Sequence, residues 1–393
     1  MYKINIRKEK FGGTLFDLTT GKRSYINYQE FCDIQKNIEF PNDINVPSNI
    51  SNEEIKFTRL NMKNDGNHYS FADIVFLEIT RECNLRCKHC LNNSGNCLQN
   101  ELSFEELSKI VKDLAENGVQ EIRFTGGEPL INDKVYELLK LSSENGIYTV
   151  IGTNGTLITK EVAKKLKDVG LMKAVVSIDG SRKSHDYIRG KGTYEKIAKG
   201  ITNLRNNDIF TSISFTATNL NYKEFTKVVK YARKYNVNNV WSDRYIPLGG
   251  SEDKNLMLNY EQTREYLNIM SREREKLMKK KNNITTISMY RALQFQMTDD
   301  FAYGCTAGDT LLTVMENGDL VPCRRMPIVV GNLLKENMYN LYKNNKLLKE
   351  LRKNLIPSDC VSCEHSEMCH GGLKCLTYAI YKDLNHKDLG CDL

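Results

Sequence analysis

The chain has 393 residues, 40% hydrophobic and 27% charged, with a formal net charge of +7. That suits one large domain with a smaller companion, or two to three domains, and excludes a disordered chain. No apolar run approaches the ~20 residues of a membrane span, and the first ten residues lack a signal-peptide core, so a cytoplasmic protein off the membrane is expected. Aromatic residues do not interleave with basic ones in a stripe, so nucleic acid is not an expected partner; Lys279-Lys-Lys281 reads as a solvated helix end. The 12 cysteines, in a compartment that disfavours disulfides, point to metal ligands.

Residues 4–10, 14–19 and 22–27 read as short strands punctuated by Gly12-Gly13 and Gly21, followed by a helix at 28–35. The polar stretch 41–66 reads as a linker. From residue 74 strand and helix alternate. Strands are expected at 74–79, 120–124, 148–152, 174–178, 212–217 and 239–246. Helices are expected between them, the first opened by a Ser103–Glu106 capping box with Leu107, Ile110, Val111 and Leu114 on one face. Six such units predict a parallel sheet. A long helix at 260–281 leads to a cysteine-rich end, where Asn317-Gly318 between extended runs predicts a hairpin that brings Cys323 back near Cys305.

Cys83, Cys87 and Cys90 are separated by three and two residues, a spacing that lets one loop aim three thiolates at one point. Cysteine thiolates are the usual ligands of a 4Fe–4S cube, and three of them leave one iron open, as a catalytic zinc keeps an open position. A zinc knuckle or stray thiols is the competing reading of the three cysteines alone. Gly126 and Gly127 in Thr125-Gly-Gly-Glu-Pro129 lack a Cβ, so a ligand can lie close to that backbone; an ordinary strand-end turn reads the same way.

The cysteine run after a strand, with Thr125–Pro129 downstream, resembles the radical S-adenosylmethionine (SAM) superfamily. The resemblance implies an α/β fold: a partial (β/α)6 TIM-like barrel at 71–250. A short β-rich extension at 1–70 precedes it, a helical linker at 251–300 follows, and a small cysteine-rich auxiliary-cluster domain occupies 301–393. It implies that the open iron binds SAM and that one electron splits SAM into methionine and a 5′-deoxyadenosyl radical. It further implies that Gly126, Gly127, Glu128 and Pro129 run along the methionine part of SAM, and that His89 lies near the adenine. Thr153, Asn154, Ser177, Asp179 and Arg189 match pocket positions of peptide-modifying members. Each of these fits a turn or surface role as well.

Cys305, Cys323, Cys360, Cys363, Cys369, Cys375 and Cys391 resemble the SPASM auxiliary-cluster domain. Its crossed pattern implies an inner cluster on Cys305, Cys323 and Cys375 and an outer one on Cys360, Cys363, Cys369 and Cys391, making three 4Fe–4S clusters with the SAM-binding one. Five residues separate Cys369 from Cys375, where the family pattern has three. Asp299 and Asp300 stand where some members carry an eighth cysteine, which leaves either an open inner iron or an oxygen ligand. Zinc competes for Cys360–Cys369. Cys32 and Cys97 carry no assigned role, and no residue is assigned as catalytic acid or base.

The expected activity is hydrogen abstraction from a peptide or protein substrate, with oxidative modification or crosslinking of a ribosomally made peptide. A flavodoxin- or ferredoxin-type reductant is the implied electron source. The N-terminal strands and helix resemble small leader-peptide-binding domains, and also fit a plain extension packed on the barrel. Arg324 stands where sulfatase activators place an aspartate, which disfavours that activity. Arg324 and Arg325 read either as holding an acidic peptide or as surface charge. Two further functions compete with peptide maturation: radical chemistry on a small metabolite, and electron transfer by a non-catalytic iron–sulfur protein.

Overall fold

A computed structural model describes residues 2–37, 40–41, 50–58, 69–250, 252–298 and 304–391. Asp299, Asp300 and most of the expected linker 41–66 lie outside the described residues. The chain begins with β1 (Ile4–Glu9), β2 (Gly12–Asp17), β3 (Arg23–Asn27), α1 (Tyr28–Asn37) and β4 (Ile55–Thr58). These strands form a sheet in the order β3-β2-β1-β4, antiparallel except that β4 runs parallel to β1. Gly12 has φ +141°, and a Cβ there would lie 2.2 Å from the Asn27 carbonyl carbon, so the tight β1–β2 turn requires glycine. β4 falls inside the stretch read as linker. Four residues are too few to show a period, and its partner lies some fifty residues back in the chain.

The barrel strands are β5 (Ile74–Glu78), β6 (Glu121–Thr125), β7 (Tyr148–Thr153), β8 (Lys173–Ser177), β9 (Phe210–Ala217) and β10 (Asn239–Arg244). The helices between them are α2 (Phe104–Glu116), α3 (Lys134–Glu144), α4 (Lys160–Asp168), α5 (Arg182–Arg189), α6 (Thr193–Asn206) and α7 (Phe225–Lys234). All six strands are parallel and pair in chain order. The Ser103 hydroxyl accepts from Glu106 N–H and the Glu106 carboxylate accepts from Ser103 N–H, so the expected capping box opens α2. Val75, Leu77, Leu107, Val111 and Phe124 are fully buried in the shared core, each contributing roughly 1.5–3 kcal/mol of transfer free energy.

The sheet runs past the six expected strands. After α8 (Tyr260–Met278), β11 (Thr286–Ser288) adds parallel to β10. On the other edge β12 (Leu311–Val314) adds parallel to β5, followed by β13 (Asp319–Val321) and β14 (Gly331–Asn332), both antiparallel. The predicted hairpin therefore forms, and it also fuses the cysteine-rich end to the barrel sheet. The ten strands end at β11 and β14, so the barrel is partial. Four helices complete the chain: α9 (Met338–Asn344), α10 (Lys346–Arg352), α11 (Ser366–Cys369) and α12 (Lys374–Tyr381). No helix among the described residues is long and apolar enough to cross a membrane.

The N-terminal sheet docks where the barrel strands begin. Buried Arg7 pairs with Glu9 at 2.6 Å and with Asp73 at 2.6 Å, and donates to the Ala72 carbonyl. The Gln120 side chain bonds Thr14 and Arg23, and Tyr148 packs edge-on against Phe16. Asp73, Gln120 and Tyr148 all stand at strand starts, so the other ends of β5–β10 are left for the cysteine loop and its neighbours.

Candidate functional site

Loops at the C-terminal strand ends carry the chemistry in barrel folds, and the singled-out residues gather there. The cysteine loop leaves β5 and folds back through Cys83 N–H to Gly95 O and Cys90 N–H to Cys87 O. Its three thiols lie within one another's fields. Burial is the main force on them: it raises the Cys83 thiol and pushes Cys87 up to about 11, with Arg189 working the other way at Cys87. Such thiols lose their protons readily only to a strong local positive charge, and a bound metal supplies one. Asn154 Nδ2 lies 4.0 Å from Cys83 Sγ and Arg189 3.9 Å from Cys87 Sγ.

The glycines of Thr125–Pro129 serve the cysteine loop. A Cβ on Gly126 would lie 2.2 Å from Thr80 O, and one on Gly127 2.0 Å from Glu82 O. Gly127 N–H donates to Thr80 O and Glu128 N–H to Glu82 O, each at 2.8 Å. The missing Cβ atoms make room for the backbone of residues 80–82. Glu128 is fully buried with its carboxylate turned to the end of β7. It accepts from the Thr153 hydroxyl and Asn154 N–H, each at 2.7 Å, and from Leu130 N–H. Burial pushes it up to about 7 against those donors. Pro129 is buried just beyond.

Asp179, two residues past the end of β8, is the hub of the other side. One carboxylate oxygen accepts from Arg189 and meets His89 Nε2 at 2.8 Å; the second accepts from Thr216 N–H. Burial alone would raise its pKa, but Arg189 and His89 hold it well below the usual carboxylate range. His89 is thus turned to a carboxylate, and Arg189 ties α5 to both Asp179 and Cys87. Ser177 is half-buried at the end of β8, opposite Ser214. Hydrogen bonds tie Gly127, Glu128, Asn154 and Arg189 to the cysteine loop and His89 to Asp179, while Pro129 and Ser177 stand at the neighbouring strand ends.

Sequence reasoning missed α5, whose eight residues are almost all polar and show no apolar stripe. It also missed His185, whose Nδ1 accepts from Asp179 N–H, and Asn92, whose amide bonds Glu78 and the Gly126 carbonyl. A lone His or Asn in a loop carries no pattern. The sequence signal for Asn92 is its place two residues after Cys90.

The cysteine-rich end caps the same face. Arg324 pairs with Glu78 at 3.3 Å and bonds the Thr125 hydroxyl; Arg325 and Arg291 both pair with Asp243. Burial alone would raise Asp243, but Arg325, Arg291 and Arg244 hold it at about 2. The surface reading of Arg324 and Arg325 is therefore corrected, because the carboxylates they meet are the barrel's own. Cys323 and Cys375 are raised by burial and lie in the field of Cys305. Cys360, Cys363, Cys369 and Cys391 line a single cavity with Leu293 and His365. Among the described residues no three His, Cys, Asp or Glu side chains are set to chelate one metal ion; the outer thiols surround a space.

The five residues between Cys369 and Cys375 have a geometric reason. His370, Gly371 and Gly372 all adopt positive φ, at 50°, 84° and 81°. A Cβ on Gly371 would lie 2.5 Å from Pro357, and one on Gly372 2.6 Å from Asp388. This turn separates α11 from α12, so Cys369 stays with the outer thiols and Cys375 with the inner ones. Asp388 locks the arrangement to β10 through a bidentate pair with Arg244.

The description "Radical SAM superfamily" matches residues 77–232, and the SPASM "Iron-sulfur cluster-binding domain" matches residues 305–365. The chain carries a radical SAM domain and a SPASM domain; it is an enzyme of the oxidoreductase type. It is 26% identical over 338 residues to an AdoMet-dependent heme synthase of Methanosarcina barkeri, covering 81% of this chain and 95% of that one. It is 27% identical over 325 residues to the mycofactocin maturase MftC of Mycolicibacterium smegmatis, covering 80% and 81%. Its fold is that of Streptococcus suis SuiB bound to S-adenosylmethionine: TM-score 0.79 at 19% identity, over 100% of this chain and 99% of that one.

SAM and 4Fe–4S clusters follow from these domains. The half-buried thiols beside Arg189 and Asn154 fit the first of them. When bound, such a cluster supplies the electron that splits SAM. This chain's own residues hold the loop, fix Arg189 beside Cys87 and shut the lower end of the barrel.

Proposed function

We propose that the chain matures a ribosomally made peptide. SAM is cleaved reductively to a 5′-deoxyadenosyl radical, which takes a hydrogen atom from the peptide, and oxidative modification or crosslinking follows. Cys83, Cys87 and Cys90 hold the SAM-binding cluster; His89, Gly126–Pro129, Thr153, Asn154, Ser177, Asp179 and Arg189 shape the cofactor pocket. Cys305, Cys323 and Cys375 hold an inner auxiliary cluster, and Cys360, Cys363, Cys369 and Cys391 an outer one, which take up electrons released by the oxidation. The electron for SAM comes from a flavodoxin- or ferredoxin-type donor.

The observation that carries the peptide reading is the N-terminal sheet, docked to the barrel with β3 at its edge. An edge strand takes an extended peptide as an added strand. SuiB, seen with its precursor peptide SuiA, shares its fold with the whole of this chain at TM-score 0.78. The likeness to the heme synthase favours a second reading, a porphyrin substrate, but it takes in 95% of that protein while leaving about a fifth of this chain unmatched.

The test is a pair of anaerobic incubations with SAM and reductant. One receives candidate precursor peptides encoded beside the gene, the other an iron coproporphyrin. A peptide lighter by two hydrogens per crosslink, with stoichiometric 5′-deoxyadenosine, is the expected result. Conversion of the porphyrin with every peptide left intact overturns the reading.

A further inference from the structure

The cysteine loop reaches the surface on one side, and that side is basic. Lys88, exposed between Cys87 and Cys90, donates its N–H to Ile188 O at 3.0 Å. Its ammonium lies 3.8 Å from the centre of the Tyr187 ring. Tyr187 stands on α5 and, with Lys183, Lys191 and Leu220, lines an open groove of about 560 Å³. Tyr187 and Leu220 are 59% and 49% exposed.

The acids near this groove are already engaged. Asp186 accepts from Gly192 N–H and Tyr194 N–H, and Glu224 accepts from Ser181 N–H and pairs with Lys227. Asp186 keeps its charge at the groove, but Lys88, Lys183 and Lys191 outnumber it and give a net positive field around an apolar centre. α5 separates this groove from the pocket. Lys183 and Tyr187 stand one turn apart on one face of α5, with Lys191 just past its C-terminal end, while His185 and Arg189 turn from the opposite face to Asp179. A ligand in the groove thus touches the outside of the cluster loop, one helix away from Cys87.

We propose that this groove docks an acidic one-electron donor protein, a small flavoprotein or iron–sulfur carrier. It delivers its electron to the cluster on Cys83, Cys87 and Cys90. The proposal rests on the reading of those cysteines as cluster ligands. One electron leaves the donor's reduced flavin or iron–sulfur centre and one enters the cluster; no bond forms or breaks. Electron tunnelling falls steeply with distance, so the donor must dock where the loop meets solvent. Electron-transfer encounters are small and transient, and charge of this kind sets their rate more than their strength. A substrate peptide must instead reach the strand ends on the far side of α5.

The test uses the reconstituted full chain, with an acidic flavodoxin as the probe. Binding of the oxidised flavodoxin is titrated at low and physiological salt. Reduction of the cluster by flavodoxin hydroquinone is followed by stopped flow and by electron paramagnetic resonance. In the Lys183→Glu/Lys191→Glu variant, affinity and reduction rate should fall by at least about tenfold and lose their salt dependence. Reduction by dithionite should be unchanged, and so should flavodoxin reduction of a Lys279→Glu/Lys280→Glu control. Unaltered flavodoxin reduction in the groove variant overturns the proposal. So does loss of precursor-peptide binding with electron transfer intact, which would make the groove a peptide site. A reduced protein with no cluster signal overturns the cluster reading, a result separable from failure at the groove.

Discussion

Asp179 and Glu128 are both buried carboxylates, and their neighbours drive them in opposite directions. Arg189 and His89 stand against Asp179 and hold it below its ordinary 3.8 despite burial. At Glu128 burial outweighs its hydrogen-bond donors and the smaller pull of Arg189, taking it to about 7. A carboxylate depressed in the folded state contributes stability that is present above its unfolded pKa and is lost as pH falls below it. Asp179→Asn should therefore cost about 3 kcal/mol at pH 7, because Arg189 is left buried without its partner. The variant should also lose less further stability than the wild type between about pH 4 and pH 2. Urea denaturation across pH checks both, and parallel acid limbs in the two proteins would contradict the argument. Both residues were legible as members of strand-end motifs. Their duties were not, because the partners Thr153, His89 and Arg189 come from other elements and meet only in three dimensions.

At the scale of elements, glycine punctuation and apolar alternation made the first three strands and the six barrel strands readable. What stayed hidden were short elements whose only support is a distant partner. β4 exists because β1 offers it an edge, β11 because β10 does, and α5 because His185 and Arg189 hold it to Asp179. β3 has the reverse property: it is legible, and its outer edge faces away from the sheet. Asp17 N–H is bonded to Lys22 O, so by the alternation of an antiparallel pair the N–H groups of Arg23, Tyr25 and Asn27 point away from β2. Tyr25→Pro removes one outward donor without removing a ladder bond to β2. If the precursor peptide adds to β3, this variant should weaken peptide binding by about tenfold, the equivalent of one net hydrogen bond of roughly 1–1.5 kcal/mol. Tyr25→Ala, which keeps the donor, should bind more tightly than the proline variant. Anisotropy titrations with labelled peptide decide this, and equal affinities for the two would remove β3 from the account.

At the scale of the whole molecule, ten of the 12 cysteines fall into three places. Spacing alone made the first triad legible, and the resemblance supplied the crossed grouping of the other seven. The physical reason for the crossing lies in the left-handed turn at His370–Gly372, which no spacing rule shows. The barrel and the cysteine-rich end are joined by one sheet and by the pairs Arg324–Glu78, Arg325–Asp243 and Arg244–Asp388, so the three sets hold fixed positions around the strand ends. The measurement that tests this directly is an iron count with a SAM-cleavage assay on anaerobically reconstituted protein, beside a Cys83→Ala/Cys87→Ala/Cys90→Ala variant. The account predicts about 12 irons for the wild type and about 8 for the variant, each cluster carrying four, with 5′-deoxyadenosine formed by the wild type alone. Equal iron in both proteins, or zinc in place of iron, would contradict it.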